Sequence, residues 1–78
     1  MVVEVRLFAT LRHYAPTSLA GVFSVEVPVD YTVAELLNKI NVDLAEVHII
    51  MVNGVSSTLI ATLHEGDRLG LFPAVGGG

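Results

Sequence analysis

The sequence contains no cysteine. That removes disulfides, thiolate metal ligands and a thiol nucleophile together. Basic residues are scarce as well: Arg6, Arg12, Lys39 and Arg68 stand singly against 8 acidic residues, for a net charge of −4. The five aromatics, Phe8, Tyr14, Phe23, Tyr31 and Phe72, are not interleaved with arginines. A chain without a basic stripe is not expected to bind nucleic acid. No apolar run approaches the roughly 20 residues of a membrane helix. The first residues alternate as Val3, Glu4, Val5, Arg6, Leu7, the pattern of a strand rather than a signal peptide, so a cytoplasmic protein is expected. There is no Gly-x-x-x-x-Gly-Lys phosphate loop, so ATP binding by the chain itself is not expected. His13, His48 and His64 lie 35 and 16 residues apart and match no local metal motif. No Ser-His-Asp set stands in a nucleophile-elbow context. Neither a metal site nor a catalytic set is therefore expected.

What the sequence has in abundance is apolar side chain: 53% hydrophobic against 15% charged in 78 residues. A single domain this short buries only about 60–65% of its unfolded surface. The excess therefore means either a dense core or a partner-binding patch.

The patterning places the elements. Residues 2–8 alternate, with Val3, Val5 and Leu7 opposite Glu4 and Arg6, as in a half-buried strand. Residues 9–14 suit a short helical turn stopped by Pro16, and a loop follows to Gly21. Residues 22–27 alternate again up to Pro28, close enough to pair with the first strand as an antiparallel hairpin. Tyr31 to Ile40 reads as the one main helix. Thr32-Val33-Ala34-Glu35 forms a capping box, Val33, Leu36, Leu37 and Ile40 make its apolar face, and Asn41 is its stop. Residues 47–52, Val-His-Ile-Ile-Met-Val, predict a central strand buried on both sides. Asn53-Gly54 is a strong hairpin signal. A brief strand and irregular chain follow from Val55 to Leu63. Glu65-Gly66-Asp67 is a turn, Arg68 to Phe72 the last strand, and Pro73 its terminator. This order predicts an α+β, ubiquitin-like β-grasp: a mixed sheet of four to five strands on one main helix. The first and last strands should pair in parallel at the sheet centre, because a long crossover separates them.

The sequence closes with Pro73-Ala74-Val75-Gly76-Gly77-Gly78. At a free C-terminus such a run links nothing. It makes a flexible tail (76–78) on a domain of residues 1–75, slim enough to enter a narrow cleft because glycine lets a backbone approach closely. Its one reactive group is the carboxylate of Gly78. Parallel first and last strands would set Phe8 and Phe72 at one end of the sheet, near the tail root. There they either cap the core or form a docking patch.

The chain resembles the small sulfur-carrier proteins of the ubiquitin-like group, in particular the small subunit of molybdopterin synthase. The resemblance covers nearly the whole chain. Its carriers are Leu7-Phe8-Ala9-Thr10-Leu11-Arg12, Thr32-Val33-x-Glu35-Leu36-Leu37, Val52-Asn53-Gly54, Leu63-x-Glu65-Gly66-Asp67-Arg68 and Leu71-Phe72-Pro73-Ala74-Val75-x-Gly77-Gly78. The thiamine sulfur carriers end similarly but usually lack the Phe-Ala-x-Leu-Arg segment. The resemblance implies a partner like the ubiquitin-activating enzymes that adenylates the terminal carboxylate with ATP. A sulfur donor protein would then make a thiocarboxylate, and the large subunit of molybdopterin synthase would use its sulfur. Gly78 would be the acceptor, and Gly76 and Gly77 the threading tail. Phe8, Leu71, Phe72 and Pro73 are the expected partner contacts. The chain would bind no cofactor and have no catalytic residue of its own. Rival readings are a carrier for thiamine, tungsten-pterin or cysteine synthesis, a modifier joined to lysines through Gly78, or a non-covalent interaction module.

Overall fold

The computed structural model describes residues 1–15 and 21–74. Five strands form one mixed sheet: β1 (Val2–Leu7), β2 (Val22–Glu26), β3 (Val47–Val52), β4 (Val55–Ser56) and β5 (Arg68–Pro73), in the order β2-β1-β5-β3-β4. A single helix, α1 (Val33–Lys39), and two 3-10 turns, Ala9–Tyr14 and Leu44–Glu46, complete the described elements. β1 and β5 pair in parallel, with Val5 opposite Leu69 and Leu7 opposite Leu71; the other pairings are antiparallel. This is the β-grasp arrangement, and its topology makes β5 the central strand.

Alternation fixes which way each strand faces. Val3, Val5 and Leu7 of β1 and Leu69 and Leu71 of β5 are buried on one face with Val33, Leu36 and Leu37 of α1. Leu11, Val27, Val42 and Leu63 close the same core. Each such side chain contributes about 1.5–3 kcal/mol when fully buried. The helix begins where its sequence signal stands. Glu35 N–H donates to Thr32 Oγ1 at 3.2 Å, and Thr32 N–H donates back to Glu35 Oε1 at 3.0 Å. Past its end, Asn41 takes a left-handed conformation at φ 61°, the conformation of a helix C-terminal stop.

β3 departs from the expectation of a strand buried on both sides. It lies between β5 and the two-residue β4, and α1 covers only one face of the sheet. Ile50 and Val52 pack against the core, His48 and Ile49 are exposed, and Met51 is half-buried on the uncovered face. An apolar run does not distinguish a doubly covered strand from one whose outer face carries apolar groups. The last strand also runs one residue further than expected, since Pro73 pairs with Val47 at its end, where a residue without an N–H is tolerated.

Between β3 and β4, Asn53 (φ 53°) and Gly54 (φ 80°) are both left-handed, as a tight hairpin turn requires. Asn53 does a second job. Its Nδ2 donates to Asp67 Oδ1 at 2.9 Å, and its Oδ1 accepts from Arg68 N–H at 2.9 Å. Asp67, the one buried charged residue among those described, also accepts from His64 N–H at 2.8 Å. Its carboxylate is therefore satisfied internally. These bonds fasten the hairpin to the first residue of β5.

Candidate functional site

The site is built at the end of the sheet where β5 delivers the chain toward its glycine run. Leu71 and Phe72 are neighbours with opposite fates. Leu71 points to the helix side and is fully buried. It cannot offer surface to a partner, so the expected docking role for it gives way to a core role. Phe72 points to the uncovered face and stacks on Phe8 of the neighbouring chain segment, ring centroids 4.2 Å apart and planes 3° from parallel. Both rings are half-buried and neither packs into the core cluster. The aromatic pair thus lies outside the core it was one option to cap. Pro73 is half-buried beside them.

The stacked rings lie against Gly70. A Cβ there would sit 3.6 Å from Phe8 Cε2, 3.7 Å from Phe72 Cε1 and 3.8 Å from Met51 Cβ, so the rings lean over the bare backbone of the central strand. Arg6, Phe8, Met51, Gly54, Arg68, Gly70 and Phe72 line an open, mostly apolar groove of about 250 Å³. The sequence reading missed Arg6, Met51, Gly54, Arg68 and Gly70 as members of this surface. A glycine within a strand pattern was the available signal, since it marks a close approach or a bulge.

Gly76, Gly77 and Gly78, the expected tail and acceptor, lie outside the described residues. Described residues flank the tail root on both sides. The turn Ala9–Tyr14 follows β1 and contacts β5, and the turn Leu44–Glu46 leads into Val47, the partner of Pro73. The two turns are tied together: Tyr14 Oη donates to Glu46 Oε2 and accepts from Asp43 N–H at 3.4 Å. The bond to Glu46 raises the Tyr14 hydroxyl above its ordinary pKa of 10.0, because it holds the proton in place. Among the described residues no group of three His, Asp or Glu side chains is placed to hold a metal ion, and no helix is long and apolar enough to cross a membrane.

A protein-family model, the ThiS family, matches residues 5–78. The chain belongs to the ThiS family. Among curated proteins no significant match is found. Solved structures agree with the family assignment. SAMP1 from Haloferax volcanii is 27% identical with a TM-score of 0.79 and 100% coverage of both chains. A putative molybdopterin converting factor, subunit 1, from Pyrococcus furiosus is 25% identical with a TM-score of 0.74, covering 96% of this chain and 99% of that one. A chain in the complex of subunits 1 and 2 of the molybdopterin-converting factor from Helicobacter pylori is 26% identical with a TM-score of 0.62 and 100% coverage of both. This ThiS-family chain therefore has the β-grasp shared by sulfur carriers and ubiquitin-like modifiers, and the family match runs through the terminal glycines.

Proposed function

We propose that this chain is a sulfur carrier for molybdopterin synthesis, the small subunit of a molybdopterin synthase, and that its working group is the carboxylate of Gly78. The observation that carries the reading is the register of β5. That strand is parallel to β1 and antiparallel to β3, with Leu69 and Leu71 anchored in the core. It is a rigid base five residues before Gly78, beside an apolar groove suited to a partner. A carboxylate is a poor electrophile. Adenylation by an activating enzyme, with loss of pyrophosphate from ATP, installs a leaving group, and a sulfide equivalent then displaces AMP to leave a thiocarboxylate. The tail contributes slimness, and the catalytic groups belong to the partners. Similarity to a subunit 1 chain found with its subunit 2 supports a large-subunit partner, which Phe8, Phe72 and Pro73 would contact.

The experiment is reconstitution: protein, ATP, an adenylating enzyme and sulfide. The expected product is a chain about 16 Da heavier, oxygen replaced by sulfur at the C-terminus, that generates molybdopterin when mixed with a large subunit. A second reading has its own support, because the similar SAMP1 of H. volcanii is by name a small archaeal modifier protein. A modifier would instead appear as higher-mass conjugates on other proteins.

A further inference from the structure

We infer that the open face recognises a partner segment presenting a carboxylate next to an apolar side chain, and that Arg68 is the residue that meets the carboxylate. This rests on the reading of the chain as a substrate of an activating enzyme and names the chemistry by which that enzyme would recognise it.

Strand pairing lays out the face in rows. Nearest the tail root stand Phe8, Phe72 and Ile49. The next row is Val22, Arg6, Gly70, Met51 and Ser56, and the third holds Ser24, Glu4 and Arg68, with Glu26 beyond. Two of the chain's four cations therefore border the apolar groove. They are not equivalent. Glu4 is the cross-strand neighbour of Arg68, yet its carboxylate goes to Arg6, with Arg6 Nε and Glu4 Oε2 2.6 Å apart. Among the described residues Arg68 makes no ion pair. Its side chain is exposed while its backbone is pinned: Arg68 N–H donates to Asn53 Oδ1 at 2.9 Å, and its C=O accepts from Asn53 N–H at 2.8 Å.

A guanidinium without an ion pair among the described residues, on a fixed base at the rim of an apolar groove, matches a carboxylate on a partner. Once the apolar contact excludes water, that pair strengthens, because the local dielectric falls. Guanidinium also offers a fork that carboxylate fits in two places. The molecule as a whole, at net −4, favours a basic partner surface. One acidic residue set into such a surface would then fix the docking register, the role charged rim contacts commonly play.

The test uses full-length protein and the adenylating enzyme of the same organism, with binding measured at low and high salt. Arg68→Gln should weaken binding about tenfold at low salt and flatten its salt dependence. Arg68→Glu should weaken it further, and Arg68→Lys should recover most of the loss. Lys39→Gln, the same charge change at an exposed position of α1 on the other face of the sheet, should bind as the unsubstituted protein does. An Arg68→Gln protein with unchanged affinity and salt dependence overturns the inference. So does a Lys39→Gln loss as large as that of Arg68→Gln, which would show that the effect is not specific to the groove. If the unsubstituted protein binds but is never adenylated, the proposed function fails while the binding comparison still decides the role of Arg68.

Discussion

Leu71→Ala and Phe72→Ala change adjacent residues of one strand and should fail in different ways. Leu71 is 0% exposed, so truncating it leaves a cavity costing about 2–5 kcal/mol. A chain of this length has a total stability of only about 4–12 kcal/mol. The substitution should therefore remove a large share of the stability, and any weakened binding should follow the folded fraction. Phe72 is half-buried and its main partner is the Phe8 ring, 4.2 Å away. Losing that stack and part of its burial should cost about 1–2 kcal/mol, which leaves the protein folded. As an interface anchor, however, it should cost at least about 2 kcal/mol of binding, near thirtyfold in Kd. Urea unfolding of both variants gives the first quantity. Titration against the activating enzyme, under conditions where each is folded, gives the second. If Phe72→Ala binds normally, or if it destabilises the fold as much as Leu71→Ala, the assignment of the two faces is wrong.

Other consequences follow from the same geometry. Gly70→Ala meets only ordinary contacts, 3.6–3.8 Å away. It should raise stability by about 0.4–1 kcal/mol through the unfolded chain, a gain of several degrees in Tm by calorimetry, while its methyl narrows the groove and weakens partner binding. Asp67→Ala strands Asn53 Nδ2 and His64 N–H and should cost about 1–3 kcal/mol, read by urea unfolding. The Tyr14–Glu46 bond raises the folded tyrosine pKa above 10.0. Its contribution is therefore complete below that value and disappears as the pH rises through the folded pKa. Tyr14→Phe should unfold more easily than the unsubstituted protein near neutral pH, and the difference should vanish in strong alkali.

Much of the architecture is legible in the residues. The alternation of Val3, Val5 and Leu7 gives the inner face of β1. Thr32 and Glu35 give the start of the helix, and Asn53-Gly54 gives the hairpin. Less legible is whatever depends on the covering of each face. The run Val47–Val52 reads as doubly buried because an unbroken apolar run does not mark which of its faces the one helix leaves uncovered. Leu71 and Phe72 read alike as apolar residues beside the tail, and only the phase of β5 against β1 separates core from groove. The partnership of Asn53 with Asp67 spans 14 residues and depends on the pairing of β3 with β5. Arg68 looks like an isolated surface charge until the register puts Glu4 beside it and gives that carboxylate to Arg6. The fold follows from local pattern, whereas the groove follows from register.

Chemistry on the carboxylate of Gly78 leaves a direct trace in mass. The most direct measurement is the mass of the C-terminal peptide after incubation with ATP, the adenylating enzyme and sulfide, alongside a variant lacking Gly77 and Gly78. A gain of about 16 Da confined to the peptide ending in Gly78 is expected. The shortened protein should keep the same melting behaviour but show no gain, since glycines bring no side chain to a core. An unchanged C-terminal peptide in the intact protein, or sulfur acquired equally by the shortened one, would contradict it.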